Sequence, residues 1–178
     1  MIKKTIWDMG RVSVEEFRAS RKIPLIIVLD NVRSLNNIGS IFRTADAFAV
    51  EEIVLCGISS PPPSPEIHKT ALGAEDSVAW RYFADTPSAI RTLQEEGTYV
   101  TCLEQVRDSV SLEDFKPEPG TRYAVVVGNE VDGVDPAVVD MCSAWIEIPQ
   151  HGTKHSLNVA VSAAITMWTF YLKLKIFA

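Results

Sequence analysis

The sequence predicts an α/β domain: a mostly parallel sheet with helices on both faces. Two apolar runs, Leu25-Ile-Ile-Val-Leu29 and Tyr123-Ala-Val-Val-Val127, are continuous rather than alternating, which suits strands covered on both sides. Segments with helical spacing lie between the strand-like runs, so the two types alternate along the chain. At 178 residues, with no internal repeat and no linker long enough to divide it, the chain reads as one domain over 1–178.

Residues 1–23 are expected to form a basic helical extension before the sheet. Ser13 can cap a short helix from Val14 to Ser20, and Leu25–Leu29 is the first buried strand. Asp30-Asn-Val-Arg-Ser-Leu-Asn-Asn37 then forms a polar loop. A helix follows with Ile38, Ile41, Phe42 and Ala45 on one face. Arg43 lies off that face, over Gly39 and Ser40, because helical side chains lean toward the preceding turn. Gly39 leaves room there for a ligand or another backbone. Glu52-Ile-Val-Leu-Cys56 is the second strand, and Ser60-Pro-Pro-Pro-Ser-Pro65 a stiff surface loop. His68–Glu75 suggests a short helix ended at Gly73. Val78–Phe83 suggests a strand, with a helix starting at Thr86 or Ser88 and running to Glu96, stopped by Gly97. Thr98–Leu103 and Tyr123–Val127 are further strands, and Asp135-Pro136 opens another short helix.

The chain is organised around Ile146–Ile165. Ile146 and Ile148 alternate with Glu147 as in a strand, Pro149 ends the ladder, Gly152 permits a reversal, and Ser156 suits the N-cap of the last helix. That helix is apolar nearly all round except at Asn158, Ser162, Thr166, Thr169 and Lys173. These five share one face, so the helix should be largely buried, with a small polar face turned to something specific.

Composition excludes several classes. The last helix is interrupted by polar residues before it reaches the roughly 18 apolar residues that would span a bilayer. Met1-Ile-Lys-Lys is followed too soon by Asp8, Arg11 and Glu15 for a secretory signal, and the expected compartment is the cytoplasm. Cys56, Cys102 and Cys142 form no C-x-x-C pair and read as buried, reduced thiols. A net charge of −6 argues against holding nucleic acid by bulk electrostatics. RNA contact would need a local patch from Lys3, Lys4, Arg11, Arg18, Arg21 and Lys22, which can equally be a solvated helix face, or from Arg33 and Arg43.

Three polar, glycine-bearing loops should gather beyond the C-terminal ends of parallel strands, where such sheets bind ligands. They are Asn36–Gly39 with Arg43, Gly128-Asn-Glu130, and Gln150–Asn158. The chain has no G-x-G-x-x-G, P-loop or G-x-S-x-G signature, which argues against dinucleotide, nucleotide-triphosphate and serine-hydrolase readings. His151 and His155 lack the partners a zinc site needs, so no metal is expected. Each residue also has a plainer reading. Asn37 or Ser156 can be a helix cap, Glu130 a turn carboxylate, Arg43 the ion-pair partner of Asp46, and the hydroxyl stripe simple helix packing.

Together these segments resemble the three motifs of the SpoU (TrmH-like) family of RNA 2′-O-ribose methyltransferases, in the SPOUT superfamily. The first is Asn37-Ile-Gly39 with Arg43-Thr-Ala-Asp46, the second Val125-Val-Val-Gly-Asn-Glu130, and the third Ile148-Pro149 through Ser156-Leu-Asn-Val-Ala-Val161. The similarity runs from about Pro24 to Leu172 and includes Lys69-Thr-Ala-Leu-Gly-Ala-Glu75. It implies a C-terminal trefoil knot, a homodimer with the site near the subunit interface, and S-adenosylmethionine as methyl donor. The implied cofactor-binding residues are Thr101, Leu103, Glu104, Gly128, Asn129, Glu130, Ile148, Gln150, Ser156 and Leu157. By motif match Arg43 is the catalytic candidate, supported by Asn37, Glu130, Ser156 and Asn158.

Methyl transfer to a ribose hydroxyl needs that oxygen aligned behind the methyl carbon and its proton removed. Deprotonating a guanidinium of pKa above about 12 at neutral pH costs about 7 kcal/mol, so Arg43 is expected at minimum to clamp phosphate and stabilise developing charge. Gln150 stands where the family usually carries a hydrophobic residue. Without a separate RNA-binding module, a compact tRNA element is favoured over ribosomal RNA. A non-catalytic RNA-binding relative and a base-nitrogen methyltransferase are the alternatives.

Overall fold

In the computed structural model the described residues are Lys3, Gly10 and residues 12–174 without His155. Lys4 and Arg11 of the expected basic patch, and His155 of the discounted histidine pair, lie outside them. The elements are α1 (Val14–Ala19), β1 (Ile23–Asp30), α2 (Leu35–Ala47), β2 (Val50–Cys56), α3 (Pro65–Ala71), α4 (Ala74–Ser77) and β3 (Ala79–Phe83). They continue as α5 (Thr86–Glu95), β4 (Tyr99–Leu103), β5 (Val110–Ser111), β6 (Tyr123–Val127), α6 (Pro136–Val139), β7 (Ala144–Glu147) and α7 (Val159–Leu174).

The seven strands form one sheet in the order β3-β2-β1-β6-β4-β7-β5, and every pairing is parallel. Alternate residues of its central strands feed two separate cores. Leu25, Ile27, Leu29, Val125 and Val127 pack with Ile38 and Phe42 of α2 and with Ala163, Met167 and Phe170 of α7. Ile26, Val28, Ala124 and Val126 pack with Ala89, Ile90 and Leu93 of α5 and Val138 of α6. The continuous apolar runs therefore have their expected cause, a sheet covered on both faces.

Local chemistry moves several boundaries. Ser34 caps α2 by accepting from Asn37 N at 3.3 Å, so the helix begins at Leu35 and Asn37 lies inside it rather than capping it. Pro65 opens α3 as its first residue instead of closing the proline loop. The expected helix at 68–75 is broken in two, because Leu72 and Gly73 both take left-handed backbone. The short edge strand β5 carries no apolar run and could not be anticipated.

The last helix departs most from expectation. It starts at Val159, and Asn158 rather than Ser156 caps it, accepting from Ala160 N at 2.9 Å and Val161 N at 3.3 Å. Its hydroxyls turn back on their own helix: Ser162 donates to Val159 O, Thr166 to Ser162 O and Thr169 to Ile165 O. Lys173 ties the far end to the carbonyls of Leu112, Glu113 and Phe115. What α7 leaves in water is an apolar stripe, Val161, Ile165, Trp168 and Leu172, each between 38% and 49% exposed. The outward face is greasy, and the three hydroxyls of the polar stripe bond within the helix.

From β7, sixth in the sheet, the chain passes back over β4 and β6 to lay α7 beside α2 and β1. Asn158 meets Asn37 at one end of this pair, and Trp168 meets Phe48 at 5.3 Å at the other, so α2 and α7 run parallel. Among the described residues no helix is long and apolar enough to cross a membrane.

Candidate active site

The site grows from the capped start of α7. Asn158 must aim Oδ1 at the free N–H groups of its helix, which leaves Nδ2 as a donor. Nδ2 donates to Asn37 Oδ1 at 3.2 Å. With its oxygen engaged, Asn37 turns Nδ2 outward and donates to Glu130 Oε1 at 2.8 Å. One relay thus joins all three expected loops. Asn37 and Asn158 stand at the edge of the arrangement, while Glu130 also lines the cleft beside it.

That cleft has a volume of about 310 Å³, within the range of small-molecule sites. One wall is the turn after β6. Asn129 Oδ1 accepts from Val131 N and Asp132 N, and main-chain bonds join Asn129 to Gly133 in both directions. Glu104, at the end of β4, accepts from Val134 N at 3.0 Å and Gln105 N at 2.9 Å, pinning this turn to the neighbouring strand. The fit is close enough that a Cβ on Gly128 would strike the Gly133 backbone, and one on Gly133 would strike the Glu104 carboxylate. Ile148, Gln150, Ser156 and Leu157 form the facing wall.

Charge in the cleft is one-sided. Glu104, Glu130, Asp132 and Glu147 line it, and among the described residues no lysine, arginine or histidine does. Leu103, Val127, Ile148, Leu157 and Val159 supply apolar surface. Such a pocket repels a polyanion and favours a cationic ligand with an apolar or aromatic part. Among the described residues no group of three or more His, Cys, Asp and Glu side chains is placed to hold a metal ion.

The structure separates the remaining candidates. Leu103, Glu104, Gly128, Asn129, Glu130, Ile148, Gln150, Ser156 and Leu157 line the cleft; Thr101 does not, since it is buried in the sheet and donates to Ala124 O. Ser156 faces the cleft without capping the helix. Ser162, from the polar stripe of the last helix, lines it too, as do Glu147, Asp132 and Gln105, which were not among the expected site residues. Glu147 could have been found by strand alternation, because Ile146 points into the core and its neighbour must not.

Arg43 stands apart. It projects into solvent on the outer stripe of α2 with Asn36, Ser40 and Ala47, while Asn37 faces α7 roughly a third of a turn away. It touches neither the cleft nor Asp46, whose carboxylate accepts from Ser77 Oγ at 2.5 Å. Gly39 serves the crossing of two helices, since a Cβ there would collide with Thr70 Oγ1 and Ile67 O of α3. Of the N-terminal cations, Arg18 is committed to Asp76 O at 2.5 Å, and Lys22 donates to Phe17 O and Ser20 O.

Comparison with known proteins gives this geometry a context. The chain is 31% identical over 167 residues to the 23S rRNA (guanosine-2′-O-)-methyltransferase RlmB of Vibrio parahaemolyticus, covering 93% of this chain and 66% of the relative. It is 27% identical to a protein of Staphylococcus saprophyticus named for the TrmH family of tRNA/rRNA methyltransferases, covering 90% and 63%. The AdoMet-bound rRNA methyltransferase of Sinorhizobium meliloti superposes with a TM-score of 0.79 at 27% identity, over 89% of this chain and 60% of that one. The chain thus spans slightly under two thirds of the length of these relatives. The family model described as the SpoU rRNA Methylase family matches residues 24–168, across all three loops that build the cleft, and the chain belongs to that family.

Proposed function

We propose that this protein transfers a methyl group from S-adenosylmethionine to a ribose 2′-hydroxyl of RNA. The observation that carries the reading is the relay Asn158–Asn37–Glu130 at the rim of an acidic, ligand-sized cleft. The cleft suits this cofactor, whose sulfonium and ammonium are cationic and whose adenine is flat and apolar. Leu103, Ile148 and Leu157 would flank the base, and the glycine-tight turn at 128–133 offers main-chain groups at close approach. Bound there, the cofactor supplies an electrophilic methyl group on a good leaving group, so no metal is required.

The chain's own residues would manage the hydroxyl. Glu130, oriented by Asn37, is placed to accept a proton or hold the nucleophile in line. Arg43 supplies no contact to its own cleft, so its role requires another geometry. The exposed apolar stripe of α7 lies beside the outer face of α2, and such a patch marks an interface. A two-fold dimer through it would carry Arg43 toward the partner's cleft, where a guanidinium suits a phosphate beside the target ribose. The backward passage of the chain from β7 to α7 is the direction of travel a C-terminal knot needs, and we read the knot on that support.

The net charge of −6, which leaves RNA contact to a local patch, favours a compact tRNA element, whereas the relatives carry names for 23S rRNA and for tRNA/rRNA. The test supplies tritiated S-adenosylmethionine with unmethylated total tRNA and rRNA in parallel. Label should enter one RNA pool at a nucleotide whose 3′ linkage becomes resistant to alkali. Calorimetry with S-adenosylmethionine alone that shows no binding would sink the reading and favour a non-catalytic RNA-binding protein.

A further inference from the structure

The acidic cleft has no means of gripping RNA, so the RNA-contacting surface must lie elsewhere. The break between α3 and α4 carries an unusual residue. Leu72 sits at φ 54°, ψ 38°, a left-handed conformation that branched, bulky side chains disfavour, and its side chain is 63% exposed. No burial compensates. Yet the turn is braced on every side: Leu72 N donates to His68 O at 2.9 Å, Gly73 N to Glu75 Oε2 at 3.0 Å, and Glu75 Oε1 meets His68 Nδ1 at 2.5 Å. Glu75 is itself buried. The fold therefore holds one apolar side chain out into water at a fixed point.

Exposed Glu66 and Asp76 lie on the turn's own segment, but the side toward α2 is basic. Gly39 of α2 touches Thr70 and Ala71, and Asp46, two turns further along the helix, binds Ser77. Arg43 lies between these two contacts along α2, one turn beyond Gly39, and is exposed beside the side of the helix that packs on α3 and α4. Lys69 is exposed one helical turn before Leu72, and Arg33 is exposed where the chain enters α2. Among the described residues Arg33, Arg43 and Lys69 make no hydrogen bond or ion pair. From Asn31 to Ala45 the chain has no acidic residue, against a net charge of −6 overall. Thr70 Oγ1 donates to Asn36 O at 3.0 Å, joining turn and helix into one platform.

We propose that Leu72, flanked by Lys69 and Arg43, is an RNA-docking surface: the leucine packs against the face of an unstacked base near the target ribose, and the two cations hold the adjoining phosphates. The proposal rests on the RNA reading of the preceding section. Charge complementarity favours RNA over a second copy of this acidic chain, and the second copy already has the apolar stripe of α7. Single-stranded RNA is recognised by packing of splayed bases and by phosphate contacts, which this pairing of one apolar and two cationic side chains provides.

The test measures anisotropy of a fluorescein-labelled stem–loop RNA with an unpaired loop, across a salt series, for the whole protein. Leu72→Asn suits left-handed backbone and removes the apolar surface; it should weaken binding about tenfold, as expected for losing one base contact. Lys69→Ala should lower the slope of log affinity against log salt by about 0.7, one phosphate on a single strand. Both variants should bind S-adenosylmethionine like the wild type. Unchanged RNA affinity in Leu72→Asn would overturn the proposal, as would a variant that loses its dimer while keeping RNA affinity, which would give Leu72 to the second copy. A wild type that binds this RNA in a Leu72-dependent way but transfers no methyl group would defeat the catalytic reading and leave the docking surface standing.

Discussion

Asn158 serves two structures with one side chain: its Oδ1 caps α7 while its Nδ2, 3.2 Å from Asn37 Oδ1, sets the orientation of the residue that holds Glu130. Stability and site geometry are therefore coupled at a single amide, and substitution can separate them.

Asn158→Ala removes the cap and the relay together, and should cost about 1 kcal/mol of stability along with activity. Asn158→Asp keeps a good cap but loses the donor to Asn37. Its melting curve should stay close to the wild type while methyl transfer falls at least about tenfold, in the range expected for a misplaced proton acceptor. Thermal melts run beside tritium-transfer assays decide the matter. Parallel losses in both variants would mean that Asn158 is a cap and nothing more.

Much of this is legible in the amino-acid sequence itself. Continuous apolar runs identified buried parallel strands because burial on both faces removes alternation, and the three polar loops converge because parallel strands end on one edge. What stayed hidden had physical reasons. Ser156 and Asn158 are both good caps two residues apart, and only the reach of the loop after Pro149 selects Asn158. The polar stripe on α7 looked outward on a helical wheel, but Ser and Thr satisfy themselves by bonding back one turn, which periodicity does not show. Leu72 in a left-handed turn contradicts residue preference, and the bonds to His68 O and to Glu75, placed by tertiary packing, make that turn hold. Arg43 was grouped with the cleft by motif order, yet helix geometry sends it to another face.

A second prediction concerns the charged lattice at the other end of the sheet. Arg81 is bidentate to Glu52, with bonds of 2.5 Å and 2.9 Å, and also meets Glu96 at 2.6 Å; Arg122 meets Glu51 at 2.8 Å and Glu96 at 3.0 Å. The hydrogen bonds from Arg81 hold the Glu96 carboxyl below its ordinary range, and Arg122 adds to the effect against the opposing cost of desolvation. A depressed carboxylate stabilises the fold above its unfolded pKa of about 4.3 and loses that contribution as pH falls through the folded value. Glu96→Gln should thus be less stable than wild type at neutral pH, with the difference shrinking below about pH 4.3. Glu96 is 34% exposed, so solvent screening keeps the effect small. Urea melts of the two proteins at stepped pH read it directly, and a gap that widens in acid would refute it.

The thiols should be silent in the native state. Cys56, Cys102 and Cys142 are all buried, and burial pushes the Cys56 thiol up to about 12, while the neighbouring Cys142 and burial raise that of Cys102. Only the thiolate reacts at a useful rate. Native protein should therefore leave Ellman's reagent nearly colourless at neutral pH, and denatured protein should titrate as 3 thiols per chain. Rapid labelling of the native protein would show that the core opens around β4 or β2 under ordinary conditions.

The position of Arg43 allows a test that distinguishes one subunit from two. Arg43→Ala should abolish methyl transfer while leaving S-adenosylmethionine binding intact, because Arg43 does not line the cleft. Glu130→Gln should lower transfer about a hundredfold with little effect on folding, since Glu130 is exposed and its neutral amide no longer accepts a proton. Neither single variant alone says whether the two side chains act within one chain. Mixing the two variants after subunit exchange does. If Arg43 reaches the partner's cleft, each mixed dimer contains one complete site and one doubly defective site. Random exchange then restores about a quarter of wild-type activity, since half the dimers are mixed and half their sites work. If both residues act within one chain, every subunit stays defective and the mixture remains inactive. Ile165→Glu supplies the control: a carboxylate in the exposed stripe of α7 should give a monomer by light scattering, and a monomer that still methylates RNA would dismiss the two-subunit site.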